Sequence, residues 1–172
     1  MKNIVLIGFM GSGKSSAGQK LAHVLGYEFT DTDALTEERA GKEISEIFNE
    51  SGEAYFRDLE SKVVKEVVLK KNQVIACGGG AVLRSQNVTT LREIGIIVYL
   101  KTTPAKIYER IKFLKKRPLL NVTDVEKRII NLLAEREKIY ETVADIVVDT
   151  SNLTVDEVVE EIRIKLFKEK ND

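Results

Sequence analysis

Disulfide chemistry has no foothold in this chain: its one cysteine, Cys77, cannot form an internal bridge, which fits a reducing compartment. Prolines number only two, and no internal repeat or low-complexity tract interrupts the sequence, so neither a disordered chain nor a repeat array is expected. Charge of one sign is missing as well. Twenty-seven basic residues balance twenty-seven acidic ones, which removes the basic surface that drives sequence-independent nucleic-acid binding and makes any anion site a local one. No apolar run is long enough to span a bilayer. The run that opens the chain, NIVLIGFM, is short and continues into Gly-Ser-Gly-Lys rather than a small-residue cleavage site, so no secretory signal is expected. These absences lead to an expectation of a cytoplasmic protein with no membrane and no nucleic-acid partner. The single histidine, His23, sits in a helical pattern without a partner in sequence and is assigned no function.

What is present suits one compact domain over residues 1–172, with 43% hydrophobic residues to fill a core. Short apolar runs bounded by glycine or acidic residues recur at 4–7, 27–30, 74–77, 96–100 and 146–148, with longer stretches of helical periodicity between them. Strand alternating with helix predicts an α/β fold in which helices cover both faces of a parallel sheet. Thr123 with Glu126 and Thr154 with Glu157 have the spacing of capping boxes, which mark helix starts. After the second box, Val155, Val158, Val159, Ile162 and Leu166 form the apolar stripe of a C-terminal amphipathic helix. The basic, proline-containing stretch KFLKKRPLLNV at 112–122 fits neither period and reads as a surface loop able to act as a lid.

Gly8, Gly13, Lys14 and Ser15 satisfy GxxxxGK[ST] between a predicted strand and a predicted helix. Glycines let successive N–H groups turn inward on a phosphate, and the helix N-terminus adds partial positive charge. In that setting Lys14 reaches the β- and γ-phosphates and the Ser15 hydroxyl coordinates Mg²⁺. The plain alternative is a glycine turn beside a solvated lysine; the strand-to-helix setting favours a nucleoside-triphosphate site.

The same socket serves switches, motors and kinases, so the rest of the chain has to discriminate. The GTPase motifs DxxG and NKxD are missing, and the strand in VIACGGG ends in Gly78, Gly79 and Gly80 rather than in an acid. FTDTD supplies the acids instead, at Asp31 and Asp33 beyond a second strand, where the binding crevice of a parallel sheet lies. One carboxylate can hold Mg²⁺ through water and the other can accept a proton from an acceptor hydroxyl; alternatively both acids cap the next helix. Arg136 falls near the centre of an apolar arc formed by Val125, Ile129, Leu132, Leu133, Ile139 and Tyr140. A guanidinium there needs an anion, either an internal Asp or Glu or a substrate carboxylate. Arg57 flanks the stripe Phe56, Leu59, Val63 and Val67 and poses the same question, with snorkelling to solvent as the plain reading. Lys115, Lys116 and Arg117 are either a solvated charge run or a lid in which Arg117 closes over the moving phosphate.

GFMGSGKSSAG, DTD at 31–33, GEAYFRDLE at 52–60, CGGGAV at 77–82, RPLL at 117–120 and REKIYETVAD at 136–145 together resemble the shikimate kinase family, in the family's order and over almost the whole chain. The resemblance implies a three-layer P-loop NTPase fold of the nucleoside-monophosphate-kinase type, with a five-stranded parallel sheet. It also implies ATP-dependent phosphorylation of shikimate, a shikimate-binding region at about 31–60, a lid at about 112–124, and a monomer. Residue by residue, it implies that Gly11, Ser12, Gly13, Lys14, Ser15 and Ser16 hold the ATP phosphates, with Ser15 and Asp31 serving Mg²⁺. Asp33, Arg57, Gly79, Gly80 and Arg136 match shikimate-binding positions, the two arginines on the carboxylate and Asp33 on ring hydroxyls. Arg117 matches the lid arginine, while Arg110 and the DTSN loop at 149–152, including Asn152, match the adenine side. Many members carry arginine or proline in that last loop, where this chain has Ser151 and Asn152. A kinase for another hydroxylated acid such as gluconate, or a nucleotide-dependent regulatory protein, are the readings to be told apart from this one.

Overall fold

The structure is a computed structural model that describes residues 2–112 and 123–168. The predicted strands are all present: β1 (Asn3–Ile7), β2 (Glu28–Asp31), β3 (Gln73–Ala76), β4 (Gly95–Lys101) and β5 (Ile146–Asp149). They form one sheet of order β2-β3-β1-β4-β5, and every pairing is parallel. Seven α-helices accompany them among the described residues: α1 (Lys14–Leu25), α2 (Thr32–Ala40), α3 (Ile44–Val67), α4 (Ser85–Ile94), α5 (Pro104–Ile111), α6 (Val125–Val143) and α7 (Val155–Lys168).

The period-two alternation of the central strands divides the core between two faces. Val5 and Ile7 of β1, with Ile97 and Tyr99 of β4, face one side and pack on Val63, Val64 and Val67 of α3, Leu91 of α4, Ile107 of α5 and Ile129 and Tyr140 of α6. Ile4 and Leu6, with Val98 and Leu100, face the other and meet Ala17 and Leu21 of α1 and Val158, Val159 and Ile162 of α7. Both faces are therefore covered, which explains why these strands read as continuous apolar runs. The result is a three-layer α/β arrangement.

The helix starts came out unevenly. Thr154 and Glu157 form the predicted box, with the Thr154 N–H reaching Glu157 Oε2 at 2.7 Å and the Glu157 N–H reaching Thr154 Oγ1 at 3.3 Å. At α6 the cap is not Thr123 but Asp124, whose Oδ1 accepts from the Lys127 N–H at 2.9 Å. Two neighbouring residues both had cap chemistry, and Asp, with an ionised acceptor at the positive helix end, took the position. A further box, Glu43 with Glu46, starts α3. Gly52 then breaks that helix at a φ of 80°, so a second arm begins beside Glu53 and carries Arg57 and Glu60 under the sheet's carboxyl edge. The proposed lid at about 112–124 lies almost wholly outside the described residues, and so does Arg117.

Candidate active site

The loop between β1 and α1 turns through Gly8, Gly11 and Gly13, with φ of 145°, 78° and 96°, which side chains rarely adopt. At Gly8 there is no room either, since a Cβ would stand 2.7 Å from the Leu100 carbonyl oxygen. Gly13 occupies the N-cap position of α1 and offers no side chain to the helix's first amides. That end of the helix therefore presents N–H donors and dipole to whatever anion occupies the loop. Lys14 Nζ lies across the loop, donating to the carbonyls of Gly8 at 2.9 Å and Phe9 at 3.0 Å. Ser15 and Ser16 are exposed beside it, whereas Ser12 is buried.

Asp31 caps the next helix, the plain reading of its sequence position, and also meets the loop before α1. Its Oδ1 caps α2, accepting from the Asp33 N–H at 3.0 Å and the Ala34 N–H at 3.3 Å. Its Oδ2 accepts from the Ser15 hydroxyl at 2.6 Å. The cap thus fixes a carboxylate against the phosphate loop. Hydroxyl and carboxylate oxygens brought together beside a phosphate socket suit a small hard cation. Among the described residues no group of three or more His, Cys, Asp or Glu converges, so an ion here would draw its remaining ligands from phosphate and water.

Across the crevice, Arg57 does not snorkel. Its side chain is 10% exposed, with Nη1 donating to Glu60 Oε2 at 2.9 Å and Nη2 to Glu53 Oε1 at 3.0 Å. Its guanidinium also lies 5.1 Å from the centre of the Phe56 ring. Glu60 is almost completely buried, and its Oε1 has no hydrogen-bond partner among the described residues. Burial is the largest influence on that carboxyl and raises it above the ordinary carboxylate range, with Arg57 opposing and the nearby Asp33 charge adding. The ion pair lowers the Glu60 carboxyl less than desolvation raises it, as expected of a charge pair taken out of water.

Arg136 is also buried, near the middle of α6 as its place on the apolar arc required. Its guanidinium stands 5.9 Å from the Phe9 ring centre and lies near the Tyr140 hydroxyl. Burial pushes that hydroxyl up to about 12, with Arg136 opposing. No carboxylate pairs with Arg136 among the described residues. The nearest internal charge is that of the buried Glu60 carboxyl, which Arg136 acts to lower without forming an ion pair with it.

The three glycines after β3 make the space these side chains occupy. A Cβ on Gly78 would collide with Asp33 Oδ1 and stand 2.7 Å from Glu60 Oε1, and a Cβ on Gly80 would run into the Arg57 guanidinium. Between them Gly79 lies against the phosphate loop near the Met10 amide, and its carbonyl accepts from Tyr140. Asp33, in the first turn of α2, Arg57, Gly79, Gly80 and Arg136 are thus gathered around one crevice at the carboxyl ends of the strands. Sequence reading passed over Glu60 and Gly78. For Glu60 a signal existed, since it stands three residues after Arg57 on the same helix, the spacing of an ion pair.

On the remaining side, Arg110 of α5 donates to the carbonyls of Gly11 at 3.1 Å and Thr150 at 3.0 Å. Thr150 Oγ1 donates in turn to the Ser12 carbonyl at 3.1 Å. The loop after β5 is therefore tied to the phosphate loop through Thr150, while Asn152 itself is exposed.

The chain is similar to known proteins in sequence and in fold. The family described as shikimate kinase matches residues 10–167. The chain is 49% identical over 162 residues to a shikimate kinase of Thermodesulfovibrio yellowstonii, covering 94% of this chain and 93% of that one. It is 50% identical over 162 residues to a shikimate kinase of Caldanaerobacter subterraneus subsp. tengcongensis, covering 94% of each. Among solved structures, a shikimate kinase from Acinetobacter baumannii in complex with shikimate superposes with a TM-score of 0.97 at 35% identity, covering 100% of this chain and 96% of that one. A shikimate kinase from Aquifex aeolicus gives 0.85 at 39% identity, covering 98% of both.

Proposed function

The chain belongs to the shikimate kinase family, and we propose that it transfers the γ-phosphoryl group of ATP to the 3-hydroxyl of shikimate, giving ADP and 3-phosphoshikimate in the route to chorismate and the aromatic amino acids. The observation that carries this reading is a phosphate loop facing a crevice that holds two buried arginines, one of them without a carboxylate partner among the described residues.

In this scheme Gly11 to Ser16 cradle the ATP phosphates, and Lys14 exchanges its contacts with Gly8 and Phe9 for phosphate oxygens. Arg57 and Arg136 grip the shikimate carboxylate, and the backbone of Gly79 and Gly80 lines its ring. Asp33 aligns the attacking hydroxyl and accepts its proton as the new P–O bond forms and the bond to ADP breaks. Ser15 and Asp31, which share a hydrogen bond, would hold Mg²⁺, and the ion would neutralise phosphate charge. Arg110 and Asn152 serve the adenine side, and Arg117, outside the described residues, completes the catalytic set from a lid at about 112–124. The enzyme acts as a single-domain cytoplasmic monomer, with its shikimate region at about 31–60. Among the described residues no helix is long and apolar enough to cross a membrane.

The test is ADP release with shikimate, gluconate, nucleoside monophosphates and no acceptor. Stimulation by shikimate alone is expected. Stimulation by another acceptor, or turnover indifferent to all of them, would overturn the assignment.

A further inference from the structure

At the end of the sheet opposite the phosphate loop, a cleft of about 590 Å³ opens between the starts of β1 and β4 and the last turns of α7. Its walls are mainly apolar, made by Ile4, Leu25, Ile96 and Leu166 with the rings of Tyr27 and Phe167. Its volume is within the range of small-molecule sites. Three cationic side chains, Lys2, Arg92 and Arg163, line it against one acid, Asp145.

The acid and one cation are already engaged. Asp145 Oδ2 accepts from the Ile97 N–H at 2.7 Å, and Arg92 Nη2 donates to the carbonyl of Thr142 at 3.0 Å. Arg163 is only half engaged. Its Nη1 donates to Glu160 Oε2 at 2.7 Å, while its Nε is buried and meets no acceptor among the described residues. An unanswered donor on a charged group is costly, and because the Arg163 side chain is 35% exposed, its guanidinium can turn toward an anionic oxygen in the cleft and recover that cost.

We propose that this cleft binds a small monocarboxylate with an aromatic or branched apolar body, the carboxylate on Arg163 and the body against Ile4, Ile96, Leu166 and Tyr27. The single negative charge follows from Asp145, which a polyanion would also meet, and the apolar body follows from the walls. Nothing in the proposed phosphoryl transfer uses these residues, so the two assignments stand or fall separately.

The experiment is an NMR titration of the methyl-labelled full chain with 3-phenylpropionate and with 3-phenylpropanol, its uncharged counterpart. Saturable shifts are expected at the methyls of Ile4, Leu25, Ile96 and Leu166, with the acid bound about tenfold more tightly than the alcohol because a charged partner strengthens the bond. Arg163→Gln should remove that preference and leave alcohol binding unchanged, whereas Phe167→Ala should weaken both probes alike. Saturating shikimate should displace neither. Absence of saturable shifts at those methyls, equal affinity for acid and alcohol, an unaltered preference in Arg163→Gln, or displacement by shikimate would each overturn the proposal. Unchanged thermal melting of both variants shows that the fold is intact.

Discussion

Between Gly8 and Ser16 a continuous stretch makes the proposed phosphate socket out of backbone, whereas the opposite wall draws Asp33, Arg57, Glu60, Gly78 to Gly80 and Arg136 from separate segments, with Arg57, Glu60 and Arg136 buried. The socket needs only unusual φ angles and a helix end, and it leaves its polar groups near solvent at little cost in stability. The acceptor wall instead keeps two guanidinium groups and a carboxyl out of water, one guanidinium without a carboxylate partner among the described residues. Keeping such groups out of water costs stability, which the proposed anion would repay. The donor half should therefore be damaged by losing charge, and the acceptor half should gain stability when Arg136, its guanidinium without a carboxylate partner among the described residues, is replaced by an apolar side chain.

Lys14→Ala breaks the donor half and should have the largest effect, lowering kcat by about 10²–10³-fold in an ADP-release assay, as loss of a transition-state charge partner does. Shikimate affinity measured without nucleotide should hardly move. Arg136→Met should act the other way round, weakening shikimate binding about 10²-fold by calorimetry, the scale for removing a buried charged partner. ATP affinity should be preserved, and urea unfolding should show a gain of about 1 kcal/mol from the relieved charge. Loss of stability in this variant would mean that Arg136 is a structural tie to Phe9 and Tyr140 rather than a waiting anion site. Gly80→Ala sharpens the contrast with a single methyl group: the Arg57 guanidinium must shift, and KM for shikimate should rise about tenfold, the order expected when a positioning group moves, while KM for ATP stays put.

The smallest effect concerns pH. Burial raises the Glu60 carboxyl, so the folded state holds that proton more tightly than the unfolded chain does. Its contribution to stability is full below the ordinary carboxylate range and is lost as pH rises through the raised value in the fold. The stability of the wild type relative to Glu60→Gln, from urea titrations at stepped pH, should fall across that window. A difference that stayed flat, or that grew with pH, would show that the Arg57 pair outweighs desolvation.

The same contrast explains what was legible beforehand. The GxxxxGK[ST] turn between β1 and α1 could be read directly because a local backbone motif keeps its residues together, and the strands because sheet faces covered on both sides demand apolar runs. Arg136 announced itself by sitting where an apolar residue belonged. Glu60 did not, since a glutamate on a helix ordinarily faces water, and only the arm that begins after Gly52 turns it inward. Gly78 was hidden for a related reason: its role is the space it leaves to Asp33 and Glu60, a property of residues far away in sequence. The α6 cap was displaced by one residue because two adjacent side chains could each have filled it.

In the proposed reaction Arg136, with Arg57, receives a carboxylate from the acceptor. Calorimetry of shikimate and of its carboxamide, on the wild type and on Arg136→Met, tests it most directly. The wild type should prefer the acid by about 10²-fold and the variant should lose most of this preference, as expected when a buried charge pair is broken. Equal affinity of the wild type for acid and amide, or a preference that survives in Arg136→Met, would contradict it.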